Sequence, residues 1–174
     1  MNLEEVWKNY SSHIEQSQED CHVLEGYIKE ITPPNYYVEI GTRWGGSALV
    51  AKYFAPEGVD VYTIDVNDLD VSKQELKDRG IKFIHSPSVI IAEIWGKPIQ
   101  VLFIDGNHNE ALMDFNAWEK HVVKGGIILF HDYAKHSPNV IIDCDEVAKR
   151  KDYEVLYNPL TGDLGTGIFQ IKKL

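Results

Sequence analysis

From Tyr36 onward, short β-rich runs alternate with amphipathic stretches, and this alternation limits what the chain can fold into more than any other feature. The runs are Tyr36–Ile40, Val59–Ile64, Ile81–Ile84, Gln100–Ile104 and Gly126–Phe130. They are nearly continuous in apolar residues, as parallel strands covered on both faces require. Between them the spacing predicts helices over 46–54, 71–79, 88–94 and 109–122. In the last of these, Ala111, Phe115, Trp118 and Val122 mark one face, and Asn107 with Glu110 stands at capping-box spacing. A further helix over 140–150 precedes strands Tyr153–Tyr157 and Gly167–Ile171. The turn chemistry of residues 158–165 between those strands predicts antiparallel pairing. Ahead of the alternation, Leu3, Val6, Trp7, Tyr10 and Ile14 form one helical stripe. Leu24, Tyr27, Ile28 and Ile31 form a second, ended by Pro33-Pro34. The expected architecture is a doubly wound α/β domain: a mostly parallel seven-stranded sheet, closed by an antiparallel hairpin. A helical segment over 1–34 is added to a core over 35–174.

At 174 residues and 44% hydrophobic, the chain has enough apolar material for one domain, and wholesale disorder is excluded. No apolar run approaches the roughly 18 residues a membrane span needs. The start, Met1-Asn2-Leu3-Glu4-Glu5, is acidic and amphipathic, unlike a secretory signal. Cys21 and Cys144 lie far apart in no metal-ligand spacing, which points to a reducing compartment, the cytoplasm. Seventeen basic against 27 acidic residues give a net charge of −10. The only basic runs are Lys149-Arg150-Lys151, expected to close a helix C-terminus, and Lys172-Lys173. Without a basic stripe, a nucleic-acid partner is disfavoured.

In an open parallel sheet, ligands bind outside the carboxyl ends of the strands. All five strands end in polar or ionisable residues: Gly41-Thr42-Arg43-Trp44-Gly45-Gly46-Ser47, Asp65-Val66-Asn67, His85-Ser86, Asp105-Gly106-Asn107-His108 and His131-Asp132-Tyr133. The glycine loop lets backbone approach a ligand while the next helix offers its amides; it also reads as a plain tight turn. Gly41 and Gly46 match the outer glycines of a dinucleotide fingerprint, but Arg43 takes the place of the second. Asp65 is placed for the two ribose hydroxyls of a nucleoside, with helix capping by Asp65 or Asp68 as the alternative. If strands four and five are neighbours, Asp105 and Asp132 stand about 4.8 Å apart. That spacing would let them share a divalent cation at about 2.1 Å each, with His131 adding a ligand or pointing away; solvated loop acids are the alternative. His108, three residues past Asp105, could take a proton from a substrate hydroxyl, or be a helix-start residue. His85 could meet the adenine end of a ligand. His13, His22, His121 and His136 read as surface residues.

These residues together resemble the class I S-adenosylmethionine-dependent methyltransferases. The carriers are Val38-Glu-Ile-Gly-Thr-Arg-Trp-Gly-Gly-Ser47, Asp65, Val101-Leu-Phe-Ile-Asp-Gly-Asn-His108 and Gly125-Gly-Ile-Ile-Leu-Phe-His-Asp-Tyr133. Within that family the chain is most similar to the small branch of macrocin and other sugar O-methyltransferases, from about residue 20 to the end. The resemblance implies a Rossmann-like fold, S-adenosylmethionine as cofactor, a small hydroxyl acceptor and Mg²⁺ as an optional aid. It puts Glu39, Gly41, Thr42, Gly45 and Ser47 around the methionine end of the cofactor. Asp65 and Val66 fall at the ribose, and His85 and Ser86 near the adenine. Asp105 is implied both as a cofactor contact and, with His131 and Asp132, as a metal ligand. Asp105 and His108 are the implied catalytic residues, His108 as general base.

Two departures stand out. The metal-dependent sugar enzymes commonly close strand five with two acids, whereas this chain has His131-Asp132. For a lid, only the N-terminal helices and residues 134–139 are available. The absence of an Asn-Pro-Pro-Tyr tetrapeptide after strand four argues against methylation of a base's amine. The competing readings are a nicotinamide-dependent oxidoreductase, a cofactor-binding scaffold without chemistry, and a metal-dependent hydrolase using Asp105, His108, His131 and Asp132. The N-terminal helices also offer an amphipathic face for a second copy of the chain.

Overall fold

The computed structural model describes residues 2–10, 12–67, 73–134 and 137–174. Helices α1 (Leu3–Tyr10) and α2 (Gln18–Ile28) precede strand β1 (Tyr36–Ile40). Then follow α3 (Gly46–Phe54), β2 (Val61–Asp65), α4 (Lys73–Asp78), β3 (Ile81–His85), α5 (Ser88–Ile94) and β4 (Ile99–Ile104). The chain closes with α6 (Ala111–Trp118), a 3₁₀ turn (Glu119–His121), β5 (Val122–Phe130), α7 (Pro138–Val147), β6 (Tyr153–Tyr157) and β7 (Phe169–Lys173). Seven strands form one sheet in the order β3-β2-β1-β4-β5-β7-β6. Neighbours from β3 through β5 pair parallel, and β7 runs antiparallel to both β5 and β6. This is the expected doubly wound sheet with its closing antiparallel pair.

Side chains alternate across the sheet and fill two cores. On one face Phe103 and Leu129 pack with Leu3, Val6, Leu24, Ile28 and Val50 from α1–α3. On the other, Val38, Leu102 and Phe130 pack with Ala92, Phe115, Trp118 and Val140 from α5–α7. The apolar stripes of α1 and α2 are therefore spent on the chain's own sheet, including Ile14, which lies beyond α1 but is buried. Among the described residues, no helix is long and apolar enough to cross a membrane.

Register decides what meets at the strand ends. Ile40 lies beside Ile64 and Ile104, Ile64 beside Ile84, and Ile104 beside Phe130. The ladder runs one residue further: Gly41 N donates to Ile64 O (2.8 Å), Asp105 N to Ile40 O (2.9 Å) and His131 N to Ile104 O (3.0 Å). Gly41, Asp65, His85, Asp105 and His131 thus form one row along the carboxyl edge.

Several boundaries differ from expectation for local reasons. Helix α6 starts at Ala111 with no side-chain cap. Asn107 Oδ1 instead accepts from Asn109 N (3.1 Å), and Asp143 on α7 takes the Leu112 amide (3.0 Å), so the expected capping box is not formed. The same helix gives way at Glu119 to the 3₁₀ turn, and Val122 opens β5. Helix α7 begins early because Pro138 occupies its first turn. Its end at Val147 leaves Lys149-Arg150-Lys151 past the helix, with Arg150 paired to Glu119 and Asp152. Strand β7 begins at Phe169 rather than Gly167 because the Gly167 amide donates to Asp20 and the Ile168 amide to Thr166 Oγ1. Residues 71 and 72 of the expected fourth helix, Asp68 and His136 lie outside the described residues.

Candidate functional site

A cleft of about 1120 Å³ opens above this row and takes in the ends of β1, β2, β4 and β5 and the loop after β3. Its lining includes Gly41, Thr42, Ser47, Asp65, Val66, Ser86, Asp105, His108, His131 and Asp132. Glu39, Gly45 and His85 do not reach its wall. Glu39 and His85 bond to groups beside the cleft, and Gly45 turns the loop that borders it.

The β1–α3 loop is folded by its glycines and locked by two acids. Gly41 (φ +93°) passes so close to β4 that a Cβ there would lie 2.2 Å from the Asp105 carbonyl oxygen. Arg43 adopts φ +42° and Gly45 φ +76°. Asp65 Oδ2 accepts from the amides of Thr42 (2.9 Å) and Arg43 (3.1 Å), and Oδ1 from Asn67 N (2.8 Å). Beneath the loop, Thr42 Oγ1 meets Thr63 Oγ1 at 2.6 Å, which donates to Glu39 Oε1 at 2.8 Å. Glu39 Oε2 accepts from the Tyr37 hydroxyl (2.9 Å). Full burial pushes the Glu39 carboxyl up to about 8, although hydrogen bonds from Thr63, Ser47 and Tyr37 pull the other way. His85, exposed and stacked on Phe83, has Nε2 3.1 Å from the Val66 carbonyl.

On the β4–β5 side the register places His131, not Asp132, beside Asp105. Its side chain is 13% exposed and points into the site, with Nδ1 3.0 Å from Asp105 Oδ1 and 3.3 Å from Asp132 Oδ2. Nε2 lies 3.5 Å from Asp20 Oδ2 on α2. Burial favours the neutral ring, but the Asp105 charge and contacts to Asp105, Asp132 and Asp20 outweigh it and push the imidazole up to about 12. Among these favourable contacts the charge of Asp105 is the largest. Asp132, at φ +56°, is held down to about 2, first by His131. Its Oδ2 also pairs with His108 Nε2 at 2.9 Å, and His108 Nδ1 lies 3.5 Å from Ser137 Oγ.

Asp105, His131 and Asp132 offer ligand atoms within 4.8 Å of one another, close enough for one cation. Their chemistry does not fit magnesium, which takes oxygen ligands in a near-ideal octahedron. One donor is an imidazole that its neighbours hold protonated. Both Asp105 oxygens are also engaged, Oδ1 by His131 and Oδ2 by Gln16 Nε2 (2.8 Å). A positive charge already stands among these acids.

Sequence reasoning missed the N-terminal contribution. Asp20 is 5% exposed and accepts from Thr166 Oγ1 (2.5 Å) and the Gly167 amide (2.9 Å). Burial raises its carboxyl, yet bonds from His131, Thr166 and Ser17 hold it well below the usual range. The readable signal was Ser17-x-x-Asp20, which forms a reciprocal capping box on α2. His13, expected at the surface, lines the cleft with Gln16, and His121 is half-buried with Nε2 2.8 Å from the Ala92 carbonyl. Asp114, also missed, lines the cleft from α6.

A family model described as a methyltransferase domain matches residues 38–133, more than half of the chain. The chain belongs to this methyltransferase family. The match runs from within β1 to just past β5 and so takes in the whole row of strand ends above. The chain is also 33% identical over 142 residues to an uncharacterized protein of Acanthamoeba polyphaga mimivirus; the match covers 69% of this chain and 62% of that protein's length. Its fold is similar to an O-methyltransferase from Bacillus cereus in complex with SAH (TM-score 0.75, 14% identity, 99% of this chain and 90% of that one). It is likewise similar to the SAH-bound Podospora anserina methyltransferase (TM-score 0.77, 16% identity, 99% and 87%). A third similar structure is TomG from Streptomyces achromogenes, in complex with SAM (TM-score 0.71, 13% identity, 99% and 88%). At these identities the solved structures establish the class I methyltransferase fold, which is Rossmann-like.

Proposed function

We propose that this domain transfers the methyl group of S-adenosylmethionine to a hydroxyl of a small molecule, a sugar or a natural product. The observation that carries the reading is the His108 Nε2–Asp132 Oδ2 pair at 2.9 Å in the same cleft as the Gly41 loop and Asp65. With Asp132 holding the Nε2 proton, the basic lone pair of His108 is on Nδ1. That atom takes the acceptor's proton as the acceptor oxygen attacks the methyl carbon. The new O–C bond forms as the C–S bond breaks, and the sulfonium becomes a neutral thioether. The donor is already activated, so alignment and deprotonation are the protein's tasks.

In this reading Gly41, Thr42 and Ser47 receive the methionine end of the donor, with Glu39 and Gly45 shaping that loop from behind. Asp65 and Val66 meet the ribose, and Ser86 the adenine side. Asp105 is a positioning residue that anchors His131, whose fixed positive charge favours the deprotonated acceptor oxygen. Magnesium, which the resemblance implies, carries no step. The net charge of −10 disfavours nucleic acid as acceptor, and Cys21 and Cys144, buried and unpaired, agree with a reducing cytoplasm.

The test is isothermal titration calorimetry with S-adenosylmethionine, S-adenosylhomocysteine and NAD, each with and without Mg²⁺, followed by a panel of hydroxyl acceptors. Expected are binding of both sulfur ligands, none of NAD, no dependence on Mg²⁺, and turnover that His108→Ala abolishes with donor affinity retained. Binding of NAD alone would establish the oxidoreductase reading. Donor affinity without transfer to any acceptor would establish a scaffold.

A further inference from the structure

The apolar stripes of α1 and α2, expected to offer a face to a second copy, are spent inside the chain. Apolar surface is left over at an edge of the sheet instead. Strand β6 is last in the strand order and pairs only with β7. Among the described residues, its outer side therefore keeps a row of backbone donors and acceptors that no strand pairs. In the middle of that strand Val155 is 40% and Leu156 39% exposed. The loop that follows adds the exposed Leu160 and Leu164. It folds back on the strand, where the Leu164 amide donates to the Tyr157 hydroxyl (2.9 Å).

The opposite edge is built differently. The exposed residues of β3 are Lys82 and His85, and charge along an edge deters a further strand. On β6 the one exposed charge is Glu154, and Lys172 stands opposite it on β7. An edge of this kind is covered by another strand, because only a strand matches its row of backbone groups. The charges at its two ends say which strand. Before β6 come Lys149 and Lys151, both exposed, and the loop after it carries the exposed Asp163 beside Leu164. Two antiparallel copies of β6 lay the basic start of each against the acidic end of the other.

We infer that β6 is a homodimer interface, through which two chains pair antiparallel and join their seven-stranded sheets into one. A two-fold axis at Val155 uses the same surface on both copies and closes the assembly. The basic run Lys149-Arg150-Lys151 closes no helix, and here it has a use. Arg150 is held by Glu119 and Asp152 of its own chain, and its two exposed neighbours serve the second copy. None of these residues lines the cleft, so the pairing does not depend on the methyl-donor reading.

Sedimentation equilibrium of the purified chain is the test. Wild type is expected to be a dimer at high-micromolar concentration that dissociates on dilution. Val155→Lys should be monomeric, with circular dichroism and a melting curve showing it folded, because the side chain replaced is exposed. Ile94→Lys, at the most exposed apolar residue of α5 (79%), should stay dimeric. Val155→Cys should give a disulfide-linked dimer on mild oxidation, because residues at the axis face each other within disulfide reach. Wild type, whose two cysteines are buried, should stay unlinked. The cysteine variant decides the matter if the lysine variant does not fold. A monomeric wild type, a dimer that Val155→Lys leaves intact, or a Val155→Cys chain that stays unlinked would each overturn the assignment. Loss of the dimer in Ile94→Lys would overturn it too, by moving the contact to α5.

Discussion

Glu39 carries a carboxyl where water does not reach, and the consequence is measurable in pH. Its folded value, pushed up to about 8, lies above the ordinary 4.5, so between these values the folded chain holds a proton that the unfolded chain has released. Stability rises with pH only where the unfolded state binds more protons; here the folded state does. Glu39 therefore contributes a loss of stability as pH climbs from about 5 to 8, and none below the unfolded value. Glu39→Gln removes the titration while nearly keeping the shape. Thermal melts of both proteins across that range should show a shallower fall in Tm for the variant, whatever the absolute offset from its hydrogen bond to Tyr37. Parallel curves would mean that Glu39 is ionised in the folded state. This position also shows where sequence reading stops. Glu39 ends a strand in a motif that predicts ligand contact, but residues of a strand alternate between faces. Its side chain goes under the loop, to Thr63, and not into the cleft.

Elements were legible where one periodicity dominated and illegible where distant segments met. Strands β1 and β4 could be read because parallel strands buried on both faces leave unbroken apolar runs. Helices α3 and α5 could be read because a glycine loop ahead of one and Pro87 ahead of the other mark their starts. The start of β7 and the role of Asp20 could not, because Asp20 and Thr166 stand 146 positions apart and bond directly. Gln16 reaches Asp105 across 89 positions in the same way. Docking the N-terminal segment on the site makes a prediction through two helical glycines. Gly46, the first residue of α3, meets His13: a Cβ would lie 2.2 Å from that carbonyl oxygen. Gly26 lies in α2, exposed, with nothing within 4 Å of an added Cβ. Alanine favours a helix over glycine by about 0.8–1 kcal/mol, so Gly26→Ala should raise stability by nearly that amount. Gly46→Ala should lower it by about 1–3 kcal/mol, because backbone must move to admit the methyl. Urea titrations of the two variants check the opposite signs; stabilisation by both would mean that the His13–Ile14 segment does not rest on α3.

At the scale of the whole molecule, we propose that the helical segment over 1–34 and the core over 35–174 unfold as one cooperative unit. Leu3, Val6, Leu24 and Ile28 share a buried cluster with Phe103 and Leu129 of the sheet, and Asp20 closes on His131 and Gly167. The cleft takes His13 and Gln16 from one part and its strand ends from the other. Unfolding should therefore follow a single transition, with tryptophan fluorescence reporting Trp7 in α1 together with Trp44, Trp95 and Trp118 of the core, and far-ultraviolet circular dichroism coinciding with it. A ligand held by both parts must move that single transition as a whole. At a hundredfold excess over its dissociation constant, S-adenosylhomocysteine adds about 2.7 kcal/mol to the folded state. For a chain of this size each kcal/mol is worth about 2–4 °C, so both probes should shift upward by roughly 5–10 °C. A ligand shift in one probe alone, or an early fluorescence transition that the ligand leaves in place, would separate the N-terminal helices from the unit that binds. The contacts through Asp20 and Gln16 would then add nothing to the site.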